Sequence, residues 1–287
     1  MFQIITDSMT DLPASYLKEH DIKVVNLKYT IDGIIYGIDK FLSSEEFYSM
    51  VRNGKLPTTS QVNPDEAFHA LEGSLTRGNE ILIIAFSSGM SGTYNSFRIA
   101  AEDIKDKYPD ADIQIVDSLA ASMGQGLLLH YAICMRDSGK SMYETRDWVE
   151  DHKNHIIHLF TVDDLNHLYR GGRLSKTAAL LGTIVSVKPI LHVDEEGKLA
   201  PLRNVRGRKK SLIALVDDME NKMGRYKNQN DTVFISHGDC PDDARFVADE
   251  IEKRFGKKEI LISCLGPVIG GHAGPGTVAL FFLGEKK

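Results

Sequence analysis

Short apolar runs alternate with polar loops and helical patterns through the first half of the chain. Phe2-Gln3-Ile4-Ile5-Thr6, Lys23-Val24-Val25-Asn26-Leu27, Ile81-Leu82-Ile83-Ile84-Ala85 and Ile113-Gln114-Ile115-Val116-Asp117-Ser118 are brief and rich in β-branched residues, and predict strands. Helices are predicted from Pro13 to about His20, over Phe47 to Arg52 behind the cap Ser43-Ser44-Glu45-Glu46, from Asn63-Pro64-Asp65-Glu66 onward, over Phe97 to Ile104, and over Leu127 to Met135. Near-continuous apolar strands that alternate with helices predict βα units on a parallel sheet. Their loops then meet at the carboxyl edge of the sheet, where such folds take ligands.

The second half has another rhythm. His155 to Thr161 predicts a strand. Asp163 to Arg170 predicts a short helix ended by Gly171-Gly172, and Ser175 to Leu181 a further helix. Val187 to Val193 and Leu199 to Val205 flank Asp194-Glu195-Glu196-Gly197, a hairpin signal. A helix over about Arg208 to Met223, strands at Thr232–Ser236, Glu259–Cys264 and Thr277–Leu283, and a helix over Asp242–Phe255 complete the pattern. The expected fold class is therefore α/β with two domains. An N-terminal parallel-sheet domain spans residues 1–157, and a C-terminal mixed-sheet α+β domain spans residues 158–287.

The most chemically suggestive stretch is Phe86-Ser87-Ser88-Gly89-Met90-Ser91-Gly92-Thr93-Tyr94-Asn95-Ser96. It joins the end of a strand to the start of a helix. Unpaired backbone N–H groups and the positive end of the helix dipole face one point there, glycines admit close approach, and serines add donors. A carboxylate or a phosphate suits such a loop, and so does a simple serine-capped helix. Composition narrows the choice. A net charge of −6 on 287 residues speaks against a general nucleic-acid binder. The three cysteines, Cys134, Cys240 and Cys264, show no metal-ligand spacing and require no disulfide. No apolar run is long enough to span a membrane, and the chain opens on a strand pattern without a basic, apolar leader. The expectation is a cytoplasmic protein with no stable membrane insertion and no metal or organic cofactor.

Set in order, Thr6-Asp7-Ser8, Thr59-Ser60-Gln61, Ser87-Ser88-Gly89-Met90-Ser91-Gly92-Thr93-Tyr94, Asp117-Ser118, Asp163-Asp164-Leu165, Gly171-Gly172-Arg173, Lys188-Pro189-Ile190, Arg206-Gly207-Arg208-Lys209-Lys210 and His272-Ala273-Gly274-Pro275-Gly276 resemble the DegV family of bacterial fatty-acid-binding proteins over nearly the whole chain. The resemblance implies two α/β domains with one long-chain fatty acid between them. It also implies a non-catalytic binding subunit that presents the acyl carboxylate to a separate ATP-dependent fatty acid kinase, which forms acyl phosphate. In the family pattern the carboxylate ligands fall at Thr59 and Ser91. The basic residues tied to the kinase partner or the phosphorylated product fall at Arg170, Arg173, Arg206 and Arg208. Ala273 stands where the family has threonine, Val62-Asn63 where Pro-Ser is common, and Met9 and Met90 where small residues and leucine are frequent.

The chemistry agrees with the resemblance. A fatty acid needs a dry slot, at roughly 0.8 kcal/mol per buried CH₂, and donors for its carboxylate. Ser60, Ser88 and Gly92 join Thr59 and Ser91 as candidate donors, and His272 adds a hydrogen bond from a glycine-flanked segment expected to form a polar lid. Asp7, Asp117 and His237 fit structural roles in loops. The main rival is a serine hydrolase or acyltransferase. Ser88-Gly89-Met90-Ser91-Gly92 is close to a nucleophile elbow but carries serine at its first glycine. A small-anion binder is the next rival, though the sequence has no P-loop and no dinucleotide fingerprint. The basic run at 203–210 is the only feature that points to DNA.

Overall fold

The computed structural model describes residues 2–75, 80–175 and 187–287. The first sheet is all parallel, in the order β2 (Lys23–Val25), β1 (Gln3–Asp7), β6 (Glu80–Ala85), β7 (Asp112–Asp117). Its central strand, β6, shows why a run without polar alternation is stable there: both faces are covered. Ile81, Ile83 and Ala85 point to one cluster, with Phe47, Leu71 and Phe97. Leu82 and Ile84 point to the other, with Leu127, Leu128 and Ile133. The first cluster is built on α2 (Ser44–Arg52), α3 (Pro64–Leu75) and α4 (Thr93–Lys107). The predicted Ser43 cap of α2 is a full capping box with Glu46.

The second sheet is mixed, in the order β10 (Leu199–Arg206), β9 (Val187–Val193), β8 (Ile156–Thr161), β13 (Val278–Leu283), β11 (Thr232–His237), β12 (Glu259–Cys264). Only β11 and β12 run parallel; the other neighbours are antiparallel. The predicted hairpin of β9 and β10 is present. The expected boundary between 157 and 158 falls inside β8, whose residues from Ile156 onward pair with β13, so the whole strand goes with the second sheet. Ile157, Leu159, Val278, Leu280 and Phe282 face α8 (Arg208–Met223) and α9 (Pro241–Phe255). Phe160, Ala279 and Phe281 face the other way, into the cluster that contains α5 (Met123–Asp137). That helix lies between the two sheets, which is why it is apolar on nearly all sides.

Three elements fall outside the expected pattern. A small antiparallel sheet, β4 (Ile34–Tyr36), β3 (Lys28–Ile31), β5 (Thr58–Ser60), lies on either side of α2, where no strand was expected. Helix α6 (Met142–His152) follows a Ser141/Glu144 capping box. Helix α10 (Pro267–Ala273) takes the place of the expected lid. The first strand is followed by a single 3-10 turn, Ser8–Thr10, and then by α1 (Ala14–Glu19); α7 spans Asn166–Arg170. The helix expected over Ser175–Leu181 lies, beyond Ser175, outside the described residues.

Candidate functional site

A cavity of about 220 Å³ lies between the carboxyl edge of the parallel sheet and the inner face of the mixed sheet. Loops after β1, β6 and β7 supply Met9, Phe86, Met90 and Ala121. The mixed sheet supplies Phe160, Val193, Leu199, Ala279 and Phe281, and α10 supplies Val268 and Ile269. Most of the wall is apolar. Thr59, Ser91, Arg173 and His272 bring polar groups to one end, and Ser122 and His158 also line the wall.

That end is assembled from three distant segments. Thr59 comes from β5, where it pairs with Tyr29 of β3. Its Oγ1 lies 2.8 Å from Nε2 of His272, which stands in the last turn of α10. Arg173 comes from the turn after α7 and donates from Nε to the Met90 carbonyl at 3.2 Å, and from Nη1 to the Gly171 carbonyl. Gly171 is obligatory, because a Cβ there would stand 2.0 Å from Nδ1 of His272. Burial, and then the neighbouring Arg173 charge, push His272 down to about 4, so it is neutral at physiological pH. Arg173 itself is lowered by burial but remains cationic. It is the one permanently charged side chain among the described wall residues.

Ser91 lines the same cavity from the Ser/Gly loop. Its Oγ accepts from the Thr93 backbone N–H at 3.2 Å and lies 3.0 Å from Thr93 Oγ1. Ser60 and Gly92 also reach the wall. Gln61 packs on Gly92 and donates to Ser96 Oγ at 3.1 Å, pinning β5 to the first turns of α4. Ser88 is not on the wall; it is exposed, and its N–H donates to Asp117 Oδ1 at 3.1 Å. Of the basic set only Arg173 enters the cavity. Arg170 and Arg206 are exposed, and Arg208 is held by Asp243 at 2.7 Å. Beyond Met90, Arg173 and Leu199 the cavity meets an outer cleft of about 560 Å³, also bounded by Gly172, Lys198 and Pro201.

Buried acids hold the loops in place. Asp7 accepts from the N–H groups of Met9 (3.0 Å) and Phe86 (2.7 Å) and from Gln125 Nε2 (3.3 Å). Burial pushes its carboxyl up to about 6, against these donors. Asp11 accepts from Ser122 Oγ at 2.6 Å and from the Gly266 N–H at 2.9 Å, linking the two halves, and burial pushes it up to about 7. Deeper on the wall, His158 accepts from the Ala121 N–H, and burial keeps it well below its ordinary range, hence neutral. Asp11 and His158 do not stand out in the sequence: Asp11 lies in the polar loop after the first strand, and His158 is a polar residue inside the predicted strand His155–Thr161.

The profile of a family described as "Uncharacterised protein, DegV family" matches residues 1–285. A DegV domain-containing protein of Clostridium perfringens is 48% identical over 288 residues, covering 100% of this chain and 98% of its own. The chain belongs to the DegV family. Among solved DegV structures, a fatty-acid-binding member from Thermus thermophilus matches with a TM-score of 0.88 at 26% identity, covering 99% of each chain. DegV of Bacillus subtilis, a fatty acid binding protein, matches with a TM-score of 0.85 at 27% identity and the same coverage. Among the described residues no group of three or more His, Cys, Asp or Glu is placed to hold a metal ion, and no helix is long and apolar enough to cross a membrane.

Proposed function

We propose that this DegV protein binds one long-chain fatty acid, with its carboxylate among Thr59, Ser91, His272 and Arg173 and its tail along the apolar wall. The observation that carries this reading is the makeup of the cavity: one half-buried cation and a few neutral donors around the Thr59–His272 pair, in a wall that is otherwise mostly apolar. A carboxylate there replaces its water with charge-assisted bonds, while the tail leaves water at roughly 0.8 kcal/mol per CH₂. The fatty-acid-binding relatives of the same fold support it. Titration of delipidated protein with a long-chain acid tests the donors. Thr59→Ala and Ser91→Ala each lose one neutral hydroxyl and are expected to weaken binding about fivefold, the equivalent of about 1 kcal/mol. Unchanged affinity in both variants removes these residues from the head site.

The further role is that of a non-catalytic carrier in the cytoplasm, which offers the bound carboxylate to a separate ATP-dependent fatty acid kinase. The outer cleft beside Arg173 supports it, because it gives a partner a route to the head group. So does the exposure of Arg170 and Arg206. Charge reversal, Arg170→Glu with Arg206→Glu, is expected to leave fatty acid retention intact and to cut acyl phosphate formation by the kinase more than tenfold; full turnover with the reversed protein would contradict the partnership. Hydrolysis by a serine nucleophile has less support. Ser91 bonds Thr93 rather than a histidine, and His272 bonds Thr59 with no carboxylate partner among the described residues.

A further inference from the structure

Beyond β13 the chain leaves the mixed sheet as an arm, Gly284–Lys287. The arm is first stitched to its own lobe. The Gly284 N–H donates to the His155 carbonyl at 2.8 Å, the Glu285 N–H donates to the Lys222 carbonyl at 3.0 Å, and Glu285 Oε1 accepts from the Arg225 N–H at 3.2 Å. Lys286 then pairs with Glu195 in the β9–β10 hairpin at 2.7 Å. Glu285 and Lys286 are exposed, yet Lys287 beside them is only 9% exposed. Its side chain crosses to the parallel-sheet lobe, where Nζ donates to the Leu119 carbonyl at 2.5 Å.

Leu119 belongs to the loop 118–122 between β7 and α5, whose Ala121 and Ser122 line the main cavity. The loop holds an unfavourable shape. Leu119 has a φ of 48° and Ser122 a φ of 53°, in the left-handed region that residues with side chains keep only where their surroundings impose it. Asp117 Oδ1 fastens the Leu119 N–H at 3.2 Å, and His158 Nε2 fastens the Ala121 N–H at 3.2 Å. Lys287 takes the Leu119 carbonyl between them. This last fastening is made at a cost. Burial pushes the Lys287 ammonium down to about 7, against the pull of Asp117 and Asp194 and reinforced by Lys153. A charge docked against its own desolvation comes away more readily than a packed apolar side chain.

We infer that the arm is a strap between the lobes: docked, Lys287 holds the loop 118–122 in place against the main cavity, and undocked, it lets that loop relax so that ligand enters and leaves. The identity of the ligand rests on the fatty acid reading above. The coupling of the arm to the loop rests on the Lys287–Leu119 contact alone.

Hydrogen–deuterium exchange of the acid-free protein reads the strap, and dissociation of a fluorescent long-chain fatty acid reads its consequence. Lys287→Glu sets a carboxylate against the Leu119 carbonyl and near Asp117 and Asp194. It is expected to speed both amide exchange in 118–122 and acid dissociation about tenfold, the scale of one lost hydrogen bond to a charged group. Lys287→Ala removes the reach without adding a charge, and is expected to move both readouts the same way. Lys286→Ala breaks only the exposed pair with Glu195 and is expected to change neither. Thermal melts identify a variant that fails to fold, and the other Lys287 variant then decides. In the wild type, loading with acid is expected to slow exchange in the arm and the loop together; protection of the loop alone refutes the strap. Unchanged loop exchange in a folded Lys287 variant also refutes it, whatever the protein binds. Faster loop exchange with unchanged acid dissociation refutes the passage role and leaves the fatty acid reading standing. If the wild type binds no acid, the fatty acid reading falls, and loop exchange in the variants alone decides the strap.

Discussion

Arg173→Ala is expected to reduce long-chain fatty acid affinity about 10- to 100-fold while the protein stays folded. Among the described residues of the cavity wall there is no other cation at neutral pH, because burial and Arg173 itself hold His272 neutral. A carboxylate placed beside Thr59 and Ser91 then relies on this guanidinium for its counter-charge. Hydrogen bonds to charged groups contribute about 1.5–3 kcal/mol, and loss of the partner also strands a partly desolvated anion. Arg173→Lys keeps the charge without the planar fork, and is expected to fall between wild type and alanine. Titration with a fluorescent fatty acid measures all three. Equal affinity in Arg173→Ala would mean that the carboxylate sits elsewhere and that Arg173 belongs with Arg170 and Arg206 on a partner-facing surface.

Asp7→Ala is expected to cost about 2–5 kcal/mol of stability. Its two oxygens receive the N–H groups of Met9 and Phe86 and the Gln125 amide, and Asp7 is fully buried. Alanine leaves these donors without their acceptor, at about 1–3 kcal/mol for each group stranded. Both backbone donors belong to cavity-wall residues, so the folded fraction is also expected to bind acid less tightly. Asp7→Asn keeps one acceptor oxygen and should cost less. Urea denaturation midpoints compare the three proteins, and a loss below about 0.5 kcal/mol in Asp7→Ala would show that the loops hold without this carboxylate.

What could be read in the sequence was what local rules decide. The βα half announced itself through short apolar strands, and the Ser/Gly loop through its place between a strand and a helix. The features missed depend on distant partners. β5 is three polar residues, Thr58–Ser60, with no apolar period; it is a strand because β3 pairs with it, and that pairing brings Thr59 to the cavity. Helix α10 contains Gly270 and Gly271, poor helix residues in isolation. Packing requires one of them, since a Cβ on Gly270 would stand 2.5 Å from the Tyr48 hydroxyl. So His272 sits on a rigid helix rather than on a lid. Arg173 was visible as a basic residue after Gly171-Gly172, but its direction was not. The chain reverses at the end of α7, with the Arg173 N–H returning to the Leu168 carbonyl at 3.1 Å, and this swings the side chain inward.

The central claim is that the cavity holds a fatty acid by its carboxylate. Native and denaturing mass spectrometry of the purified protein, before and after incubation with a long-chain acid, tests it most directly. The account predicts one acid per chain, released on denaturation as a free long-chain carboxylic acid, with occupancy much reduced in Arg173→Ala. A protein that carries no acid and takes none up would contradict it.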